Sequence, residues 1–243
     1  MRVEELILNE ERNVKLTAYI QKTDGEFPHI KKRPAMIVLP GGGYNFCSER
    51  EADPIAFVYL KAGFQVFILR YSVAEHKAWS NPLDDYEQAY KLICEKSEEW
   101  AVDTDKIAVI GFSAGGHLAG CAATISACKP KAAILGYPVL NRATTNFYSD
   151  YAPDVVSSVD ENTCPCFIFA SRNDNTVPIE NTVEMLGALN KNGISYECHI
   201  YSDAPHGFSV ADETVNDMGI PMCSRVPSWT GDSAQWLKET MKL

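Results

Sequence analysis

Residues 107–116, Ile-Ala-Val-Ile-Gly-Phe-Ser-Ala-Gly-Gly, constrain this chain more than any other stretch. An apolar run, Ile107 to Ile110, enters Gly111 without a break, and a helix-compatible segment from 114 to about 127 leaves it. A strand that becomes a helix within so few residues needs an abrupt turn, and glycines beside the turn let neighbouring backbone approach where a Cβ would clash. In such a Gly-x-Ser-x-Gly corner the serine backbone is strained and the hydroxyl points out of the sheet. Ser113 also falls at a helix N-terminus, where free N–H groups favour developing negative charge. The plainer alternative is a helix start that Ser113 merely caps. A cap needs no flanking glycines, so the rest of the chain has to decide.

The rest of the chain alternates. Residues 3–8 and 14–20 each pattern as a strand, with charged residues between them, and predict an antiparallel opening pair. Residues 24–33 are polar and run into Pro34, which marks a loop. Short apolar runs at 35–39, 65–69, 107–110 and 132–136 fit strands buried in the sheet, and 166–170 and 196–200 read as the last two strands. Helical patterns cover 52–62, with Gly63 as the stop, then 83–100, 114–127, 179–190 and 232–241. Asp84 and Asp85 open the second of these, and their place suits capping and solvent exposure; Asp103-Thr104-Asp105 reads as a loop. Residues 137–163 read as an excursion over one end of the sheet, a small cap at most, and 212–228 as irregular. The order implies an α/β fold with a mostly parallel central sheet of about eight strands, helices on both faces, no large cap, and one domain over 1–243. Ligands of such sheets sit at the carboxyl ends of the strands.

Composition narrows the functional classes. A net charge of −10 argues against nucleic acid or an anionic membrane as a partner. No stretch approaches the roughly 20 apolar residues of a membrane span. The early acids Glu4 and Glu5 do not fit a secretory signal, which leads to the expectation of a cytoplasmic protein. The eight cysteines then read as reduced thiols rather than a disulfide framework. Cys164-Pro165-Cys166 could suggest metal or redox chemistry, but neither Cys-x-x-Cys nor His-Glu-x-x-His occurs, so neither a metal nor a cofactor is expected.

Three further segments fall at strand ends. Pro40-Gly41-Gly42-Gly43-Tyr44 follows the 35–39 strand. It is either a flexible loop or a turn whose N–H groups aim at a ligand oxygen; its spacing fits neither a dinucleotide fingerprint nor a phosphate-binding P-loop. A serine needs a base to become a nucleophile, and that base needs an orienting carboxylate. Of five histidines, His29 and His76 lie in polar loops, His199 lies within a strand, and His117 sits in the serine's own helix as a packing residue. His206, in Ala204-Pro205-His206-Gly207-Phe208 just after the last strand, is the candidate base. Asp174 follows the 166–170 strand by a short turn and is the first candidate acid, its alternative role being that of a turn residue. Glu180 belongs to a helix start, and Asp203 is close in sequence to His206.

Residues 111–119, Gly-Phe-Ser-Ala-Gly-Gly-His-Leu-Ala, resemble the nucleophile elbow of the α/β-hydrolase superfamily. More narrowly, the chain resembles the small esterase/lipase group that includes acetylxylan-esterase-like carbohydrate esterases. Asp174-x-x-Val-Pro and Pro205-His206-Gly207-Phe208 match that group's acid and histidine segments, and the likeness runs from about 34 to 208. The resemblance implies Ser113 as nucleophile, His206 as base and later acid, and Asp174 as its orienter. It also implies an oxyanion hole from the N–H groups of Gly42, Gly43 and Ala114, although Pro40 stands where related lipases carry histidine. Hormone-sensitive-lipase-type relatives carry a helical N-terminal cap; the stretch before residue 35 is too short for one, which implies an open site. The implied activity is serine carboxylesterase, on short acyl esters, acetyl first, of sugars or xylo-oligosaccharides. An arylformamide or peptide-type amide hydrolase on the same residues, or a silent hydrolase-fold binding module, are the alternatives.

Overall fold

The computed structural model describes residues 1–27, 29–147 and 151–243. Position 28 in the 24–33 loop and positions 148–150 in the 137–163 excursion lie outside the described residues. Among the described residues eight strands form one sheet: β1 (Arg2–Asn9), β2 (Val14–Ile20), β3 (Arg33–Leu39), β4 (Gln65–Arg70), β5 (Val102–Phe112), β6 (Ala132–Gly136), β7 (Cys166–Ser171) and β8 (Tyr196–Tyr201). Their order is β1-β2-β4-β3-β5-β6-β7-β8. The first two pair antiparallel, β2 joins β4 antiparallel, and every pairing from β4 onward is parallel.

Six helices accompany the sheet among the described residues: α1 (Asp53–Lys61), α2 (Asn81–Glu95), α3 (Ala114–Thr124), the short α4 (Arg142–Thr145), α5 (Glu180–Lys191) and α6 (Trp229–Met241). The central runs at 35–39, 66–69, 107–110, 132–135 and 166–170 are apolar because both faces are covered, whereas the edge strands β1 and β8 carry charged residues and are partly exposed. On one face Tyr86, Ala89 and Ile93 of α2, Leu118 and Ala122 of α3, and Met185 and Leu189 of α5 pack on Ile37, Leu69, Val109 and Leu135. On the other, Ile55, Ala56 and Tyr59 of α1 and Trp229, Trp236 and Leu237 of α6 pack on Val38, Ile68, Ile110 and Phe169.

The structure corrects the sequence reading at several points. Residues 103–105 belong to β5, not to a loop: Arg33 pairs with Val102 and Ala35 with Ile107, so the intervening residues of β5 bulge out of the ladder. The α2 helix ends at Glu95 rather than near 100, where the chain turns so that Trp100 reaches the core and packs on Phe67 at 5.2 Å. Asp85 is not solvent-exposed. Its side chain is fully buried, accepts the Ser72 N–H at 2.8 Å and pairs with Arg12 at 2.5 Å, so it ties the β1–β2 hairpin to the chain leaving β4. Asp84 keeps the exposed first-turn position and accepts from Ser80 Oγ at 3.0 Å.

Candidate active site

Ser113 is the hinge between β5 and α3. Its backbone takes φ 53° and ψ −115°, a left-handed conformation that costs a non-glycine residue about 1–3 kcal/mol. Both neighbours fix it. Its N–H donates to Gly136 O of β6 at 3.0 Å, and its carbonyl accepts from His117 N in α3 and from Val139 N. The turn packs so closely against β3 that a Cβ at Gly115 would stand 2.1 Å from Leu39 O. Glycine is therefore the residue that lets the serine helix lie across the end of the neighbouring strand.

The chain beyond β8 brings His206 to this hinge. His206 Nε2 lies 3.0 Å from Ser113 Oγ, and its Nδ1 lies 2.6 Å from Asp174 Oδ2. Asp174 comes from the turn after β7. Its other oxygen, Oδ1, accepts the N–H groups of Thr176 at 2.8 Å and Val177 at 2.9 Å, which locks the carboxylate and leaves Oδ2 for the imidazole. An ionised carboxylate only accepts, so Nδ1 carries the proton and Nε2 accepts from the serine hydroxyl. The Asp174 side chain is 2% exposed and that of His206 18%. Phe208 anchors the histidine loop, its ring 4.8 Å from that of Tyr137, and Gly207 supplies the positive φ of 73°. The other two acids go elsewhere: Asp203 accepts from Asn173 Nδ2 at 2.7 Å, and Glu180 opens α5.

The glycine loop after β3 lies against the same hinge, for a Cβ on Gly41 would fall 3.2 Å from Ser113 Cβ. Gly42 has φ +126°, and a Cβ there would sit 2.1 Å from Phe46 O. Among the described residues the N–H groups of Gly42, Gly43 and Ala114 donate to no protein acceptor.

Several residues that hold this loop were invisible to the sequence reading. The Tyr71 hydroxyl donates to Pro40 O at 2.6 Å. Glu51 Oε2 accepts the Gly41 N–H at 2.8 Å, while its Oε1 accepts the Tyr137 hydroxyl at 2.6 Å. His117 is fully buried, as a packing residue: its Nε2 faces Pro153 O at 2.9 Å and therefore carries the proton, so Nδ1 accepts the Tyr44 hydroxyl at 2.7 Å. Burial lowers its pKa to about 4. Tyr137 had one legible sign, its place just past a strand end; Glu51, next to Arg50 and just before a helix, carries no such sign in the sequence. His29 is exposed, His76 lies 3.9 Å from Glu75, and His199 pairs with Glu197 and Asp232, all outside this constellation. Cys47 packs against the core, and burial pushes its thiol up to about 12. Cys164 and Cys166 are buried free thiols. Among the described residues no group of three or more His, Cys, Asp or Glu side chains could hold a metal ion, and no helix is long and apolar enough to cross a membrane.

A mostly parallel eight-stranded sheet, a serine at a strand-to-helix hinge and a histidine–aspartate pair from the last two strand ends together define a class, and the comparisons with known proteins agree with it: the chain belongs to the α/β-hydrolase superfamily, in an esterase-like branch. The solved structure of MGS-M1, an alpha/beta hydrolase enzyme from a Medee basin deep-sea metagenome library, superposes with a TM-score of 0.92 at 38% identity, covering 100% of this chain and 99% of that one. The profile of the BD-FAE family matches residues 27–130, and that of the prolyl oligopeptidase family matches residues 144–219. Endo-1,4-beta-xylanase B of Butyrivibrio fibrisolvens is 30% identical over 82% of this chain and 35% of its own length. Acetylxylan esterase of Xylanibacter ruminicola is 26% identical over 76% of this chain and 44% of its own. The chain thus spans less than half the length of both curated relatives.

Proposed function

We propose that this protein is a serine carboxylesterase that removes short acyl groups, acetyl first among them, from sugar or xylo-oligosaccharide esters. The observation that carries the reading is the unbroken chain Ser113 Oγ, His206, Asp174, with contacts of 3.0 and 2.6 Å. The N–H groups beside it and the names of the two curated relatives, a xylanase and an acetylxylan esterase, support the ester and the sugar respectively.

In this mechanism the ester carbonyl carbon approaches Ser113 Oγ with its oxygen among the N–H groups of Gly42, Gly43 and Ala114. His206 Nε2 takes the hydroxyl proton as Oγ bonds to carbon, and Asp174 stabilises the imidazolium. The N–H groups take up the oxyanion charge, each such donor being worth about 10²–10³ in rate. The imidazolium then protonates the departing alcohol and leaves an acyl-Ser113. Water, deprotonated by the same Nε2, attacks next, and collapse returns the carboxylic acid and the free serine. Neither metal nor cofactor enters these steps.

The test is a panel of p-nitrophenyl acetate, butyrate and octanoate with acetylated xylo-oligosaccharides. The reading expects preference for acetate, deacetylation of the oligosaccharides, and a loss of about 10⁴-fold or more in Ser113→Ala. The match to the prolyl oligopeptidase profile around Asp174 and His206 favours one second reading, amide hydrolysis on the same residues. Activity on aryl or peptidyl amides with none on the esters would select it.

A further inference from the structure

The mechanism leaves one buried acid unused. Glu51 lies just ahead of α1, with 3% of its surface exposed, and Arg50 beside it is exposed. A buried carboxylate without partners is costly, and burial pushes its pKa up. Both of its oxygens are occupied, and each partner belongs to a different part of the site. On one side is the N–H of Gly41, the first residue of the glycine loop, at 2.8 Å. On the other is the hydroxyl of Tyr137, at 2.6 Å. Tyr137 Oη in turn accepts the Ser209 N–H at 3.1 Å, so its proton is directed at Glu51. The Tyr137 ring meets the rings of His206 at 5.1 Å and Phe208 at 4.8 Å, both edge-on. One carboxylate therefore joins the loop that offers the oxyanion donors to the loop that carries the base.

We propose that Glu51 is a positioning residue that keeps the glycine loop and the His206 loop in register about Ser113, with Tyr137 as the link to the histidine side. This rests on the ester-hydrolase reading above. It separates Glu51 from an ordinary buried structural acid, since the groups it aligns act together only when the carbonyl becomes tetrahedral. Loss of interactions made only in the transition state lowers kcat and leaves KM unchanged.

The test uses the whole chain with p-nitrophenyl acetate, in wild type, Glu51→Gln, Tyr137→Phe and the double variant, each with its melting midpoint. Glutamine keeps the volume but cannot accept from both donors at once. Glu51→Gln is expected to lower kcat about 10- to 100-fold with KM within about threefold, in a folded protein. Tyr137→Phe lowers kcat by less, and the double variant falls no further than Glu51→Gln alone, because both act along one chain of contacts. A folded Glu51→Gln with wild-type kcat, or one whose loss lies wholly in KM, overturns the proposal. If that variant does not fold, Tyr137→Phe decides: unchanged kcat overturns the proposal, and reduced kcat at unchanged KM supports it. A wild-type protein inert both to esters and to a fluorophosphonate overturns the esterase reading and this inference with it, whereas an active, labelled wild type beside an unaffected Glu51→Gln overturns this inference alone.

Discussion

Ser113 holds a conformation, φ 53°, that the rest of the site keeps in place against its own preference. Alanine and glycine at this position both lack the hydroxyl and its contact with His206, but only alanine keeps the Cβ that disfavours a positive φ. Ser113→Gly is accordingly expected to be more stable than Ser113→Ala by about 1 kcal/mol in urea unfolding, with both inactive. Equal stabilities would mean that the hinge is not strained. His117 offers a second test. Its native pKa, about 4, lies below the ordinary value of 6.5, so the unfolded chain binds a proton that the native one refuses. The stability this contributes is whole above pH 6.5 and is lost as pH falls towards 4, about 3 kcal/mol in all. A His117→Gln variant, less stable than wild type at pH 7, should therefore lose less stability between pH 6.5 and 4. Parallel losses in the two proteins would contradict the buried neutral imidazole.

Elements are fastened to one another by polar residues that hydrophobic patterning cannot reveal. Asp85 in α2 is the main example: the sequence shows two adjacent aspartates at a helix start, and only the fold shows that one of them faces Arg12 and the Ser72 N–H. Asp85→Ala leaves Arg12 without its carboxylate and the Ser72 N–H unpaired. Loss of one partner of a buried pair costs about 3–5 kcal/mol, and Arg12, being partly exposed, recovers some of this in water, so about 3 kcal/mol is expected from thermal or urea unfolding. A cost below about 1 kcal/mol would place the pair among ordinary surface contacts. Strand positions were legible because doubly covered strands must be apolar along their length, as at Ile107 and Cys166. The bulge at 103–105 was not, because polar residues that leave a ladder carry the same signature as a loop. Trp100 likewise continued a helical period that the chain in fact abandons after Glu95.

At the scale of the molecule, the site is assembled from the carboxyl ends of five neighbouring strands: the glycine loop after β3, Ser113 after β5, Tyr137 after β6, Asp174 after β7 and His206 beyond β8. That arrangement is why Ser113, Asp174 and His206 could be picked from the sequence, since each follows a strand-patterned segment within a few positions. Glu51 escaped because it reaches the site from the short turn ahead of α1, where an acid beside Arg50 has the pattern of a solvated segment. The central claim is that these strand ends make Ser113 a nucleophile for acyl transfer. Reaction with a fluorophosphonate, followed by mass mapping of the adduct and assay of residual p-nitrophenyl acetate hydrolysis, tests it most directly. The account predicts one adduct, on Ser113, formed in step with loss of activity and absent from His206→Ala. An adduct elsewhere, or full hydrolysis by protein modified on Ser113, would contradict it.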